Sequence, residues 1–128
     1  MNKFTAQLQQ FEHAIGRLRD VLALPKNDVV RDSAIQRFEF TFDLAWKTIK
    51  TYLGEQKGLM CNSPKDCIRA AYSQQLITYD DAWLAITDMR NETAHTYNEA
   101  LAEKIYAQLP DTLQKYQELY ASFKAAEN

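Results

Sequence analysis

The apolar residues of this chain repeat at the period of a helix almost from end to end, and no segment alternates with period two for long enough to make a strand. Phe4, Leu8, Phe11, Ile15, Leu18 and Leu22 step alternately by four and three, the narrow seam by which bundle helices pack. Pro25 and Asn27 break that seam. A second helix is predicted from about Asp28 to Glu55, with Val30, Ala34, Phe38, Phe42, Ala45, Ile49 and Leu53 as its stripe. At ~1.5 Å per residue it is roughly 40 Å long, the longest element and the expected spine. Gly54 and Gly58 are expected to end it.

Ser63-Pro64-Lys65-Asp66 reads as a helix start: a serine cap, proline at the first helical position, and an acid facing the free N–H groups. The short helix it opens has Ile68, Ala71 and Tyr72 on one face. Thr78 and Asp81 open another, with Trp83, Ile86 and Arg90 on one side. The pattern loosens from Ala94 to Tyr97, and Asn98 then caps a last helix with the stripe Leu101, Ile105, Leu109, Leu113, Tyr116, Tyr120 and Phe123. Pro110 falls within that stripe and is expected to kink or split the helix. The expected fold is all-α, an up-and-down bundle of four to five helices in one domain over residues 1–128, with no linker, repeat or low-complexity stretch.

Composition narrows the function. Three glycines and three prolines are too few for the turns of a β-sandwich, and Gly16, Gly54 and Gly58 cannot supply a dinucleotide-binding or phosphate-loop motif. Fifteen basic against 17 acidic residues give a net charge of −2, so this is no protein that coats duplex DNA, and any nucleic-acid contact must be local. No run of apolar residues is long enough to span a membrane, and the first ten residues lack the apolar core of a signal peptide, so a cytoplasmic protein is expected. Cys61 and Cys67 are expected to be half-buried free thiols, because their spacing is not that of a zinc site and no histidine pair completes one.

The one dense polar constellation is Asp88-Met-Arg90-Asn91-Glu92-Thr93-Ala94-His95-Thr96-Tyr97. On a straight helix Arg90 and His95 point about 140° apart, so they converge only if the helix ends between them or if a second subunit brings its own copy. Arginine offers a planar, always-charged fork suited to phosphate, and histidine carries a proton near neutral pH. With a nearby tyrosine hydroxyl, these are parts for attack of a ribose 2′-OH on the adjacent phosphate without a metal. The plainer reading of the same residues is a salt-bridged Arg90 and a helix-end His95. Transesterification wants both an acid and a base, and the other histidine, His13, is expected to be solvated, so a symmetric dimer would supply a second His95.

Other features read as ordinary surface or core. Glu39 and Asp43 lie one turn apart and could be paired carboxylates, but Lys47 one turn on makes an ion-paired face with Asp43 the expected reading. Phe38, Phe40, Phe42 and Trp46 are either a base-stacking platform or core plus a partner-facing edge, and Phe40, off the stripe, suggests a dimer contact. Lys47, Lys50 and Lys57, with Lys65 and Arg69, are either a basic strip or a solvated face.

Taken together, the block Arg31-Asp-Ser-Ala-Ile-Gln-Arg-Phe-Glu-Phe-Thr-Phe-Asp-Leu-Ala-Trp-Lys47, the Ser63-Pro64 start and Arg90-Asn-x₃-His95-Thr-Tyr97-Asn-Glu99 resemble the nucleotidyltransferase substrate-binding protein family of the HEPN superfamily, which includes the HepT-like toxins. The resemblance covers nearly the whole chain. It implies a small dimeric helical bundle encoded beside a minimal nucleotidyltransferase. It also implies one of two activities: a metal-independent ribonuclease toxin whose R-x₄-H-x-Y motif cuts RNA, or a non-catalytic subunit that binds substrate for its partner. Under the first, Arg90 and His95 are catalytic, Asn91 helps shape the site, and Tyr97 accepts AMP from the nucleotidyltransferase acting as antitoxin. No metal or cofactor is implied for this chain. It has no Gly-Ser pair and no D-x-D, so it is not expected to transfer nucleotides itself.

Overall fold

The computed structural model describes residues 2–127. Five helices follow one another: α1 Lys3–Leu22, α2 Asp28–Lys57, α3 Pro64–Ser73, α4 Ala82–Glu92 and α5 Glu99–Glu127, with a 3-10 turn at Thr93–His95 between the last two. No strand occurs among the described residues. The helix starts are set by short polar side chains that accept otherwise unpaired backbone N–H groups. Asn2 takes the N–H of Thr5, Asn27 that of Val30, Ser63 that of Asp66 and Asn98 that of Leu101. Gly58 closes α2 in the left-handed conformation (φ 65°), which only glycine adopts without strain. Gly54 lies inside α2.

Contacts along the helices give their directions. Arg31 meets Glu99 near the starts of α2 and α5, Phe38 stacks on Tyr116 midway, and Tyr52 touches Phe123 towards their ends, so these two helices run parallel. Phe4 at the start of α1 packs on Tyr52 and Phe123, and Arg37 donates to the Arg17 carbonyl, so α1 runs the other way. Most residues of the stripes read from the sequence form one buried cluster, joined by Val21, Ile35, Ala102 and Leu119, with Leu22, Val30, Tyr72, Leu101, Leu113 and Tyr120 half-buried against it. No described helix is long and apolar enough to cross a membrane.

Three local expectations are corrected. Helix α5 is not split at Pro110, whose ring is exposed, and runs on as one helix. A solvent-facing proline removes one backbone hydrogen bond where water can replace it, and the flanking turns hold the helix together. Helix α4 starts at Ala82 rather than at Thr78: Asp81 occupies its cap position without a side-chain hydrogen bond, and the neighbouring Asp80 accepts the Ala82 N–H instead. Cys61 and Cys67 are not free thiols but a disulfide, with Cα atoms 5.1 Å apart. The loop after Gly58 folds back over the first turn of α3, bringing the two buried sulfurs within bonding reach.

Candidate functional site

Arg90 lies in the last turn of α4, at the polar end of the stripe begun by Trp83 and Ile86. Trp83 packs against Tyr116 of α5, with ring centroids 5.8 Å apart, and Tyr116 in turn stacks on Phe38 of α2. Arg90 reaches α2, where Asp43 receives it at two points: Nε donates to Oδ1 at 3.3 Å and Nη2 to Oδ2 at 3.2 Å. Glu39 stands 3.9 Å from Nη1. The third side of the fork is taken by Thr93, whose hydroxyl accepts from Nη1 at 3.0 Å and donates to the Arg90 carbonyl at 2.7 Å. The hydrogen bonds to Asp43 hold the guanidinium pKa above its ordinary value, against the opposing effect of partial burial, and the charges of Asp43 and Glu39 act in the same direction as those bonds. Arg90 is thus a permanent, oriented cation.

Thr93 is also where the α-helix gives way. It opens the 3-10 turn, its carbonyl accepts from the Thr96 hydroxyl, and the His95 carbonyl accepts the Asn98 N–H, after which Asn98 caps α5. This clamped turn carries His95 and Tyr97 outward. Both are exposed, Tyr97 to 83 %, and their rings meet edge to face with centroids 6.0 Å apart. Asn91 and Glu92 also face solvent. The α-helix therefore ends between Arg90 and His95, and no hydrogen bond joins the two among the described residues.

The structure corrects the pairing read for Asp43. Its carboxylate belongs to Arg90 rather than Lys47, and Glu39 joins the same guanidinium. Sequence reasoning named Thr93 and Arg31 within their motifs but gave neither a role. The Arg31 guanidinium is buried, donating to Glu99 at 2.7 Å, to Glu103 at 2.9 Å and to Asp32 at 3.0 Å. It ties the start of α2 to the first turn of α5, just past the turn that carries His95 and Tyr97. The signal available in the sequence was Glu99 and Glu103, two acids one turn apart at a helix start. Of the other sequence candidates, His13 is solvated as expected, Phe38 and Phe42 are core, and Phe40 lies half-buried under the Arg17 guanidinium, 5.1 Å from its ring centroid. Lys65 pairs with Asp88 and Arg69 with Asp66. Among the described residues no group of three or more His, Cys, Asp or Glu side chains is placed to hold a metal ion.

The profile of a family described as nucleotidyltransferase substrate binding protein like matches residues 3–125. A Haemophilus influenzae protein named "Probable ribonuclease HepT" is 37 % identical over a 90-residue alignment that covers 67 % of this chain and 62 % of that protein, so the chain spans about three-fifths of the curated relative. Among solved structures, a Thermus thermophilus protein superposes with a TM-score of 0.82 at 39 % identity, over 87 % of this chain and 96 % of its own. A second neighbour, from Haemophilus influenzae, is described as revealing the fold of a substrate binding domain of a nucleotidyltransferase. It superposes with a TM-score of 0.69 at 28 % identity, over 94 % of this chain and 96 % of its own.

Proposed function

Since the chain belongs to the nucleotidyltransferase substrate binding protein like family, we propose that it is the HEPN-type partner of a minimal nucleotidyltransferase and acts as a metal-independent endoribonuclease toxin. The observation that carries this reading is the pairing of an oriented, permanently charged Arg90 with an exposed His95 on the turn immediately after it. The similarity to a protein named as a ribonuclease supports it. In the proposed reaction the His95 imidazole takes the proton of a ribose 2′-OH, and the O2′ attacks the adjacent phosphorus. The bond to the 5′-oxygen breaks, and that oxygen receives a proton. Arg90 offsets the charge that grows on the phosphate oxygens, and Asn91 lines the approach. The products are a 2′,3′-cyclic phosphate and a 5′-hydroxyl.

The single motif histidine of each chain cannot serve as base and acid at once, so the site is composite, with the second His95 supplied by another copy across a two-fold axis. The half-buried Phe40 and Leu44, with Ala6 and Ala14 of α1, line a groove of about 520 Å³ suited to such a copy. Sedimentation equilibrium at tens of micromolar should give a dimer, and a monomer there would remove the composite site. We place the protein in the cytoplasm, where RNA and the nucleotidyltransferase meet it.

The test is cleavage of single-stranded RNA by the full chain in EDTA. His95→Ala and Arg90→Ala should each lower the rate by roughly 10² or more. Cleavage that survives His95→Ala but stops in EDTA would overturn the mechanism. One observation favours a second reading, a non-catalytic subunit holding substrate for the nucleotidyltransferase: Asp43 and Glu39 together outweigh the charge of Arg90. On that reading the purified chain leaves RNA intact, yet its presence lowers the KM of the nucleotidyltransferase.

A further inference from the structure

The basic residues of α2 and α3, read from the sequence as either a basic strip or a solvated face, divide into paired and unpaired groups. Lys65 and Arg69 are paired with acids, whereas among the described residues no acid pairs with Lys47 or Lys50. These two lysines flank the half-buried Trp46, and α1 brings Lys3, also without an acid partner, to the same place. Together they line a surface concavity of about 430 Å³. Gln7 lies in its wall with a side-chain oxygen that has no hydrogen-bond partner, and Glu55 is its one acid. In a chain of net charge −2, three unpaired ammonium groups around an indole are a local reversal of sign.

The strip also has a direction. Lys50 and Lys47 lead along α2, about one turn per step, to Asp43, which holds Arg90. We infer that this concavity binds single-stranded RNA, with the lysines taking backbone phosphates and Trp46 stacking a base, and that it holds the strand flanking the phosphate presented to Arg90. Ammonium groups suit phosphate oxygens as point charges, and an indole face accepts any unpaired base. A duplex keeps its bases stacked inside, so the indole selects single strands. An acidic protein segment would use the lysines but leave the indole without a role. The inference rests on the RNA-cleavage reading and names how that substrate is held.

The test measures binding of a fluorescein-labelled oligouridylate to the full chain carrying His95→Ala, so that no turnover intervenes. Lys47→Gln and Lys50→Gln are exposed substitutions, and circular dichroism checks that the helices remain. Each should flatten the slope of log affinity against log salt by about 0.7, the share of one phosphate contact on a single strand. Trp46→Ala should weaken binding roughly tenfold. Of the two tryptophans, Trp83 is buried, so quenching of fluorescence by unlabelled oligouridylate should vanish in Trp46→Phe. With His95 intact, the double lysine variant should raise KM and leave kcat within about twofold, because Arg90 and His95 are untouched. Binding with an unchanged salt slope would overturn the inference and leave the cleavage reading standing. The expected slopes from a chain that never cuts RNA would uphold the groove and overturn the cleavage reading. No binding by the parent chain overturns the inference, as does lysine dependence seen only with the nucleotidyltransferase and not with RNA.

Discussion

Asp43 and Arg90, 47 residues apart in the chain, meet fork to fork, with Nε and Nη2 of the guanidinium each donating to a different carboxylate oxygen. Two parallel hydrogen bonds fix both the position and the plane of the arginine, which a single contact cannot do. The same carboxylate competes with any phosphate for the same charge. Asp43 therefore aims Arg90 and restrains it.

Asp43→Ala separates those two effects. Loss of aim should lower kcat for RNA cleavage by about tenfold or more, and loss of the competing charge should lower KM. Because both partners are partly solvated, the stability cost should be only about 1 kcal/mol in urea unfolding. A rise in kcat would mean that Asp43 acts purely as a brake.

Tyr97 is the regulatory test. Its ring is exposed beside His95, so its hydroxyl can reach a docked nucleotidyltransferase without any unfolding. With ATP and the nucleotidyltransferase, the peptide holding Tyr97 should gain the mass of one or more AMP units, and RNA cleavage should stop. Tyr97→Phe should keep the cleavage and escape the inactivation. An unmodified Tyr97 in the presence of an active partner would remove the antitoxin role and leave the accessory-subunit reading ahead.

The Cys61–Cys67 bond closes a short loop, with a sequence separation of 6. Restricting the unfolded chain over a loop of that size stabilises the fold by about 2 kcal/mol. Unfolding free energies from urea titrations with and without reductant should differ by that amount in the parent chain. They should coincide in Cys61→Ser/Cys67→Ser.

Acid should unfold the protein in a narrow window. Burial pushes the Asp80 carboxyl up, but the Lys115 ammonium and the N–H groups of Ala82 and Trp83 more than offset this and leave it below its ordinary value. The Lys26 ammonium and then the Arg31 guanidinium lower Glu103. A carboxyl whose pKa is lower folded than unfolded contributes stability that is fully present above its ordinary value and is lost as pH falls through the folded one. The urea midpoint should therefore hold level from neutrality to about pH 4.5 and drop below it. Asp80→Asn should flatten that drop, as read from midpoints at a series of pH values.

How much was legible in the sequence follows from the range of each interaction. Caps and stripes act within a turn or two, so Ser63, Asn98 and the core faces of α1, α2 and α5 are readable from local spacing. The Asp43–Arg90 pair depends on how α4 crosses α2, and periodicity offered Asp43 only its own helical neighbour, Lys47. The motif order Arg90, His95, Tyr97 was visible, but the role of Thr93, which ends the helix between the first two, was not. The disulfide depends on the path of the loop after Gly58, which spacing does not encode. Pro110 does not split α5, because its effect depends on which side of the helix it faces.

Tyr116 is fully buried and stands where four helices meet: its ring touches Phe11 of α1, Phe38 of α2 and Trp83 of α4, and its hydroxyl donates to the Phe38 carbonyl. No pair of helices can enclose this ring, and α4 has only 11 residues, too few to persist alone in water. The bundle therefore melts as one cooperative unit, and the calorimetric and van't Hoff enthalpies should agree. The helix that carries Arg90 does not fray away separately beforehand. Activity lost on heating is then the loss of the whole fold, and a substitution anywhere around Tyr116 shifts the thermal limit of the site by the amount it shifts the protein.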